Sequence, residues 1–411
     1  MKKDFIISII FSLLVLSACT KKINEESTVI QWRGTDRTGI YHETGLATSW
    51  AEDGLELLWH FDELGDGHSS VAVSKNKLYV AGMTDGKGHL FVFDLNGKLL
   101  NKIEYGDEWD VNFFGTRGTP TISDGKIYII SGVGDLICFD ERNLNVIWQR
   151  NILEDFDAKN ITWGITESPL IIGDTIIATP GGEVHNVVAL NKHNGELIWS
   201  SPGVGESASY TSPLYIPDLE APLIVQLTAQ HIIGLEAKTG KVLWSHESRS
   251  THSINANTPL YHDNMIFWTN VNSGAFMLRL SNGGRDSEII WEIPDLNNMQ
   301  GGYVKIGDYI YSSSGGYGKH DWYCINWYTG KIMWQKPVIG TSVVIANDDF
   351  LFGYSDRGIM ALMKAAPSTL DIISQFEVTL GTDQHWAHPV LYRGVLYVRR
   401  GNTLMAYNAK Q

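Results

Sequence analysis

The sequence predicts an all-β fold, an eight-bladed β-propeller closed by pairing of an N-terminal strand with the C-terminal blade. Three observations predict it: a tryptophan recurs every 43 to 51 residues, turn sequences divide each period into short apolar runs, and a strand-like N-terminal segment completes a truncated last unit. A period of about 40 to 50 residues is typical of arrays in which each unit is a four-stranded blade.

The periodic tryptophans close the last strand of their units. They are Trp148, Trp199, Trp244, Trp291 and Trp334, at separations of 51, 45, 47 and 43 residues. An aromatic side chain fixed by a repeat is expected to pack between adjacent blades, and we therefore interpret these residues as structural.

The second unit shows how one blade is read. Residues 118–122, 127–130, 135–140 and 146–148 form four short runs, and Asp124-Gly125 separates the first two. Asp-Gly between alternating apolar runs is a strong hairpin signal, since type I′ turns need positive φ at both central positions.

The chain divides into eight such units. Their approximate bounds are 69–103, 118–150, 164–200, 209–247, 255–293, 301–336, 341–378 and 385–410. The first and seventh units are read with Leu100 and Phe376 in place of tryptophan. The eighth lacks an outer strand, which residues 55–60 with Trp59 supply, and this pairing removes open sheet edges. Seven or nine blades remain alternatives, because the seventh unit has no tryptophan.

The N-terminus carries a targeting segment. Lys2 and Lys3 precede an apolar run over residues 5–16, and small residues follow before Cys19, a pattern typical of a secretory signal peptide over residues 1–18. The pattern resembles the lipobox of bacterial lipoproteins, which implies that Cys19 is lipidated; an ordinary secretory peptide is the alternative. Residues 19–30 then form a polar tether, and residues 31–411 are predicted to form one propeller domain.

Compartment and charge limit the partners. By resemblance to lipoprotein sorting rules, Thr20 after the cysteine implies the outer membrane, and we expect the body to face the periplasm. Removing residues 1–18 takes away two lysines and one aspartate, which changes the net charge from -14 to -15. This charge argues against nucleic-acid binding, which relies on clustered Lys and Arg.

Cys138 and Cys324 are expected to be buried rather than paired.

The repeat resembles a known family. Each unit combines a small-residue strand start, an Asp-Gly-type hairpin, a third strand such as Leu136-x-Cys138-x-Asp140, and a closing Thr-Gly-Lys-x-x-Trp strand. This motif resembles the PQQ-like, quinoprotein-type β-propeller repeat and covers nearly the whole mature chain. The leader from Trp32 to Gly39 also looks like that of envelope proteins of this family, which include quinoprotein dehydrogenases and an outer-membrane assembly lipoprotein. A shared fold implies no particular activity.

Strand order places the candidate site. The loops before the innermost strand of each blade, here called inner loops, share one face with the tip loops, which join the second and third strands. The inner loops carry aromatic and hydrogen-bonding side chains suited to a polar or sugar-like ligand or to a partner's loop. The candidate binding residues are His68, Arg117, Trp163, Tyr210, Asn257, Gln300, His385, Trp386 and His388. The alternative is that these residues belong to ordinary solvent-exposed loops and bind no ligand.

The sequence assigns no catalytic residue and no metal ligand. His385 and His388 are close in sequence, but no third ligand accompanies them. No nucleophile elbow or phosphate loop is present in a suitable setting. A calcium-bound PQQ cofactor is possible for this fold but no motif supports it, since the chain has no adjacent cysteine pair.

The sequence is therefore compatible with three functions. The first is a non-catalytic scaffold, a monomeric propeller that binds envelope proteins or a small polar ligand. The second is a PQQ-type oxidoreductase acting on an alcohol or sugar, for which Trp163, Trp386 and Arg117 are the nearest candidates. The third is a carbohydrate-binding protein or polysaccharide lyase, in which Tyr210 and Tyr317 join the tryptophans in stacking on sugars, and His68 or His385 removes a proton.

Overall fold

The computed structural model describes residues 30–34, 36–299, 301–315 and 320–411. The predicted signal peptide, Cys19 and all of the predicted tether except Ile30 lie outside these ranges. Within them, no helix has the length and apolar character needed to cross a bilayer. The only helical elements there are two short 3-10 turns, Thr251–Ser253 and Asn282–Gly284.

Two N-terminal strands precede the repeats, β1 (Ile40–Tyr41) and β2 (Leu57–Phe61). Blade 1 contains β3 (Ala72–Ser74), β4 (Lys77–Thr84), β5 (Lys87–Asp94) and β6 (Leu99–Asp107). Blade 2 contains β7 (Thr121–Ser123), β8 (Lys126–Ile130), β9 (Asp135–Asp140) and β10 (Val146–Asn151). Blade 3 contains β11 (Leu170–Ile172), β12 (Thr175–Ala178), β13 (Val187–Asn191) and β14 (Leu197–Ser201). Blade 4 contains β15 (Leu214–Ile216), β16 (Leu223–Leu227), β17 (His231–Glu236) and β18 (Val242–Glu247).

The remaining blades repeat this order. Blade 5 contains β19 (Leu260–His262), β20 (Met265–Thr269), β21 (Ala275–Ser281) and β22 (Asp286–Ile293). Blade 6 contains β23 (Tyr303–Ile306), β24 (Tyr309–Ser313), β25 (Asp321–Asn326) and β26 (Ile332–Pro337). Blade 7 contains β27 (Ser342–Asn347), β28 (Phe350–Ser355), β29 (Ile359–Ala365) and β30 (Leu370–Glu377). Blade 8 contains β31 (Val390–Tyr392), β32 (Val395–Arg400) and β33 (Thr403–Asn408).

The predicted ring and its closure are confirmed. Each blade is an antiparallel sheet in sequential strand order, and blade 8 takes β2 as its outer strand. In that pairing Trp59 lies opposite Ala406 and Phe61 opposite Leu404. Buried apolar clusters fill the spaces between neighbouring blades, as where Leu136 of blade 2 meets Val188 of blade 3. Cys138 and Cys324 are both buried and free, as expected.

Each tryptophan of the repeat docks on the following blade. The Trp148 indole N–H donates to the Lys192 carbonyl oxygen at 3.0 Å. The Trp148 ring covers Gly195 so closely that a Cβ added to this glycine would lie only 2.9 Å from the ring. The same bond joins Trp59, Trp199, Trp244, Trp291 and Trp334 to carbonyls of their next blades, at 3.0–3.2 Å. Gly195 is thus favoured for two reasons: its φ is positive, and a side chain at this position would collide with the Trp148 ring.

The assignment of Leu100 and Phe376 to the tryptophan position is wrong. The register places Asn101 opposite Val92 and Ser374 opposite Leu362, the positions that Trp148 takes opposite Cys138. Every outer strand carries a β-bulge just before this position. Counted from this bulge, Asn101 follows Leu100 by one residue, and Phe376 lies two residues beyond Ser374, opposite Met360.

Other contacts replace the two missing tryptophans. At the junction of blades 1 and 2, the buried Glu141 carboxylate accepts hydrogen bonds from Ser74 (2.9 Å), Lys75 (2.5 Å) and Tyr79 (3.3 Å). At the junction of blades 7 and 8, Trp50 packs on Phe376 with a ring distance of 5.6 Å, and its backbone N–H donates to Ser374.

Gly195→Ala is expected to destabilise the fold more than Gly125→Ala. Both glycines have positive φ, +74° and +72°, but a Cβ at Gly125 meets nothing within 4 Å. The shared backbone strain cancels in the comparison, and displacing the Trp148 ring costs roughly 1–3 kcal/mol more at Gly195. Urea unfolding of the two variants measures the difference; equal losses would contradict the docking role of the ring.

Candidate functional site

A cavity of about 710 Å³ lies at the mouth of the central channel. This volume is within the usual range for small-ligand sites, about 300 to 1,000 Å³. The wall comes from the inner loops of seven blades and from the leader: Trp32, His68, Phe113, Arg117, Thr162, Trp163, Thr166, Ser168, Tyr210, Ser212, His252, Ser253, Ile254, Ala256, Met299, Trp386 and His388. The face that carries it is called the cavity face below.

Six of the predicted binding residues line this cavity together: His68, Arg117, Trp163, Tyr210, Trp386 and His388. They come from blades 1, 2, 3, 4 and 8, and only the closed ring brings them into one wall. The tip loops, which the strand order places on the same face, contribute none of the lining residues within the described ranges, which leave out residues 316–319 of the blade 6 tip loop.

The other three predicted residues do not line the cavity in the described structure. Asn257 is buried beside it, and its amide group donates to the carbonyl oxygens of Thr269 (3.3 Å) and Asn298 (2.7 Å). His385 packs edge-on against Tyr354 and shares a hydrogen bond with its hydroxyl. Gln300 lies outside the described residues, as does Tyr317.

The two histidines of the His385-x-x-His388 pair have different partners. His388 Nδ1 lies 3.1 Å from a guanidinium nitrogen of Arg33, and its ring meets Trp32 edge-on at 5.0 Å. Among the described residues, no group of three or more His, Cys, Asp or Glu side chains is placed to hold a metal ion.

The leader forms the floor of the cavity. Ile30 exchanges backbone hydrogen bonds with Ile122 on the innermost strand of blade 2, and β1 runs parallel to β27, the innermost strand of blade 7. Both contacts lie inside the ring, and Trp32 between them reaches the cavity. The chain then returns toward the opposite face, where the Glu43 backbone N–H donates to Asn347.

Two buried arginines hold the leader in the channel. Arg33 donates to the carbonyl oxygens of Val344 (3.3 Å) and Tyr303 (2.7 Å), in blades 7 and 6. Arg37 donates to carbonyl oxygens on the opposite side of the ring, in blades 3 and 4. Sequence reasoning found the leader motif but could not place it, because its partners are backbone carbonyls with no sequence pattern.

Aromatic rings pack against one another in the cavity wall. Trp163 lies 5.7 Å from Tyr210, and Trp386 lies 4.9 Å from His68 and 5.4 Å from Phe113, measured between ring centroids. These surfaces suit flat or apolar groups of a ligand. The sequence signal for Phe113, which was missed, is the Phe113-Phe114 pair in a long inner loop.

Arg117 and three histidines are the basic groups of the cavity. Burial, aided by Arg117 and Arg399, lowers the pKa of His68 to about 3, and the imidazole is therefore neutral at neutral pH. Burial lowers the pKa of Arg117 to about 10, which leaves the guanidinium charged. The described lining contains no Asp or Glu.

The segment 108–114, called the apolar loop below, rises beside the cavity. Val111, Phe113 and Phe114 are 65%, 47% and 51% exposed. The buried Glu108 fixes the base of the loop by accepting bonds from Tyr105 and from backbone N–H groups. Neighbouring exposed aromatic side chains on a fixed loop are unusual for a solvated surface and indicate a contact surface.

Glu167→Gln is expected to flatten the pH dependence of stability. Burial raises the pKa of Glu167 to about 8, from 4.5, and the folded state therefore binds more protons than the unfolded state between these values. The free energy of unfolding then falls as pH rises through this window, by up to roughly 1.4 kcal/mol per pH unit. Urea unfolding between pH 6.5 and 8 checks this, with the exposed Glu154→Gln as control. An unchanged slope in Glu167→Gln would contradict the prediction.

Comparison with known proteins places the chain among propellers of this type. Tetrathionate hydrolase from Acidithiobacillus ferrooxidans is 23% identical over 45% of this chain, but the match spans only 39% of that enzyme's length. Outer membrane protein assembly factor BamB from Yersinia pestis is 22% identical, covering 67% of this chain and 70% of that protein.

Solved structures agree on the fold. Quinohemoprotein alcohol dehydrogenase from Comamonas testosteroni superimposes with a TM-score of 0.65 at 12% identity, covering 92% of this chain and 79% of that one. At this identity the likeness concerns the fold alone. The family model described as outer membrane protein assembly factor BamB matches residues 106–336, more than half of the sequence, and the chain therefore belongs to that family.

Proposed function

We propose that the chain is a lipid-anchored scaffold of the cell envelope whose cavity face binds a segment of another envelope protein. The observation that carries the proposal is the apolar loop, which holds Val111, Phe113 and Phe114 exposed at the edge of the cavity. An exposed apolar patch next to a concave site is typical of a protein-binding surface.

Family and charge support this function. The chain belongs to the family described as outer membrane protein assembly factor BamB, and the Yersinia pestis relative is by name an assembly factor of the outer membrane. The net charge of -14 disfavours nucleic acid and anionic lipid as partners. The proposed anchor at Cys19, followed by Thr20, supports an outer-membrane position, and we propose in addition that the body faces the periplasm.

Photo-crosslinking in intact cells tests the scaffold function. A photoreactive amino acid replaces Phe114 in the full chain, and a second variant carries it at Val184, a 65% exposed residue in the tip loop of blade 3. We expect discrete crosslinked products to envelope proteins from position 114 and not from position 184. Identical products from both positions, or none from position 114, would argue against the proposal.

Cys19→Ser tests the anchor. Without the thiol that carries the acyl chains, the protein is expected to move from the membrane fraction to the soluble envelope fraction, because acyl burial provides the membrane affinity. Cell fractionation followed by immunoblotting measures the distribution. Retention of Cys19→Ser in the membrane fraction would exclude lipid anchoring at this residue.

A quinone-dependent oxidoreductase fits the site less well. The cavity is large enough for a planar cofactor, and Trp163 and Trp386 line it. Calcium, however, needs hard oxygen ligands, usually carboxylates, and the described lining contains no carboxylate. The residues present therefore do not fit a calcium-bound quinone, and we derive no reaction step through one.

A thermal-shift titration separates the alternatives. A ligand that binds only the folded state raises the melting temperature by mass action. We expect no saturable shift with PQQ plus Ca²⁺; a saturable shift abolished by Trp386→Ala would favour the oxidoreductase. A shift with neutral or acidic oligosaccharides alone would favour a carbohydrate-binding role for Trp163 and Tyr210.

A further inference from the structure

The cavity has a charge opposite to that of the protein around it. The chain has 46 acidic and 32 basic residues, yet the described lining holds one arginine, three histidines and no carboxylate. In a protein with this excess of acidic residues, a wall without them favours an anionic group over a cationic one.

Arg117 is the charged group of this wall. Its Nη2 donates to the carbonyl oxygens of Asn112 (3.1 Å) and Phe113 (2.6 Å), while its buried Nε has no hydrogen-bond partner. Arg117 also forms no ion pair within the part of the chain that the structure describes. The nearby Glu108 carboxylate is held by Tyr105 and by the backbone of Trp109 and Gly132.

His68 is the second polar group without a partner. Its Nδ1 is buried and makes no hydrogen bond to the described residues, and its ring rests against Trp386. Leaving a guanidinium nitrogen and an imidazole nitrogen buried without partners is costly. Neither nitrogen is itself open to the cavity, but both side chains line it, and a ligand group that draws them toward the cavity offsets this cost. A carboxylate, with two acceptor oxygens, suits a guanidinium better than a neutral acceptor does.

The apolar loop extends this site beyond the cavity. Phe113 belongs to both, because it lines the cavity against Trp386 and stands beside the exposed Phe114. A small molecule confined to the cavity leaves Val111 and Phe114 in water. A polypeptide segment lying across the loop covers them and still reaches Arg117.

We propose that the cavity face binds an extended polypeptide segment in which apolar side chains are followed by a carboxylate. The apolar side chains lie on Phe113 and Phe114, and the carboxylate lies beside Arg117 and His68. The inference deepens the scaffold function proposed above and rests on it, because it names the chemistry of the partner segment.

Binding of defined peptides to the full chain in detergent tests the inference. The probe is a fluorescent hexapeptide ending in Leu-Phe with a free carboxylate, measured by anisotropy, and its partner is the same peptide with a C-terminal amide. We expect the acid to bind at least about tenfold more tightly than the amide, with affinity falling as salt rises. Equal affinity of the two peptides would overturn the carboxylate site.

Paired variants locate the contact. Arg117→Gln is expected to weaken binding of the acid about tenfold or more and to leave the amide unaffected, whereas Arg249→Gln, an exposed arginine on the same face, changes neither. Because Arg117→Gln could disturb the loop, Phe114→Ser provides a second test at an exposed position. It is expected to weaken both peptides, with Val184→Ser as its matched control.

Phenylacetate separates a polypeptide from a free aromatic acid. If phenylacetate competes as strongly as the peptide, and Phe114→Ser does not change its affinity, the site serves a small acid and the inference is wrong. If the crosslinking experiment gives products from position 114 but the peptides do not bind, this inference alone is wrong. If neither the crosslinks nor the peptide binding are observed, the proposed scaffold function is wrong as well.

Discussion

Arg37→Met is expected to lower the free energy of unfolding by about 3–5 kcal/mol, since each buried acceptor left without a donor costs roughly 1–3 kcal/mol. Arg37 is 2% exposed, and its guanidinium donates to the carbonyl oxygens of Ser168 (3.1 Å), Pro169 (2.6 Å) and Pro213 (3.3 Å). These acceptors face the channel from blades 3 and 4. The substitution therefore removes the hydrogen bonds that join the Arg37 side chain of the leader to blades 3 and 4.

Urea unfolding of the full chain measures this loss. Arg142→Met is the matched control, because its side chain is 89% exposed and its free energy of unfolding is expected to change by less than about 0.5 kcal/mol. Arg37→Lys is expected to fall between the two, since an ammonium cannot reproduce the planar fork of donors. A value for Arg37→Met close to that of Arg142→Met would mean that the leader contributes little to the folded state.

Trp148→Ala is expected to destabilise the protein by about 3–5 kcal/mol, through the cavity left between blades 2 and 3. The ring is 8% exposed and packs over Gly195. Trp148→Phe is expected to lose only about 1 kcal/mol, because the Lys192 carbonyl oxygen still accepts the Tyr128 hydroxyl at 3.0 Å.

The control for Trp148 comes from the same register position in blade 1. Asn101 is exposed there, and Asn101→Ala is expected to change the free energy of unfolding by less than about 0.5 kcal/mol. Urea unfolding of the three variants makes the comparison. Similar losses at Trp148 and Asn101 would mean that the register position, rather than the docked indole, carries the stability.

Much of the candidate site followed from the repeat. Once the strand order of a blade is known, the inner loops are fixed to one face, and His68, Arg117, Trp163 and Tyr210 fall on the same wall. The repeat could not show that His385 turns to Tyr354 or that the described tip-loop residues stay outside the cavity, because rotamers and loop paths depend on neighbouring blades.

The sequence by itself determined the propeller repeat, the docking tryptophans and the closure by the segment around Trp59, and it favoured eight blades over seven or nine. These features depend on contacts within a blade or with the next one, which recur at a fixed period and leave a visible pattern. Only the tertiary structure shows that the leader fills the channel and that Trp32 forms part of the cavity floor. It also shows that Asn101 and Ser374 stand at the tryptophan position in blades 1 and 7. Arg37 meets carbonyls 131 and 176 positions away, and a contact between a side chain and a distant backbone carbonyl depends on how the ring closes in space, which no local pattern encodes.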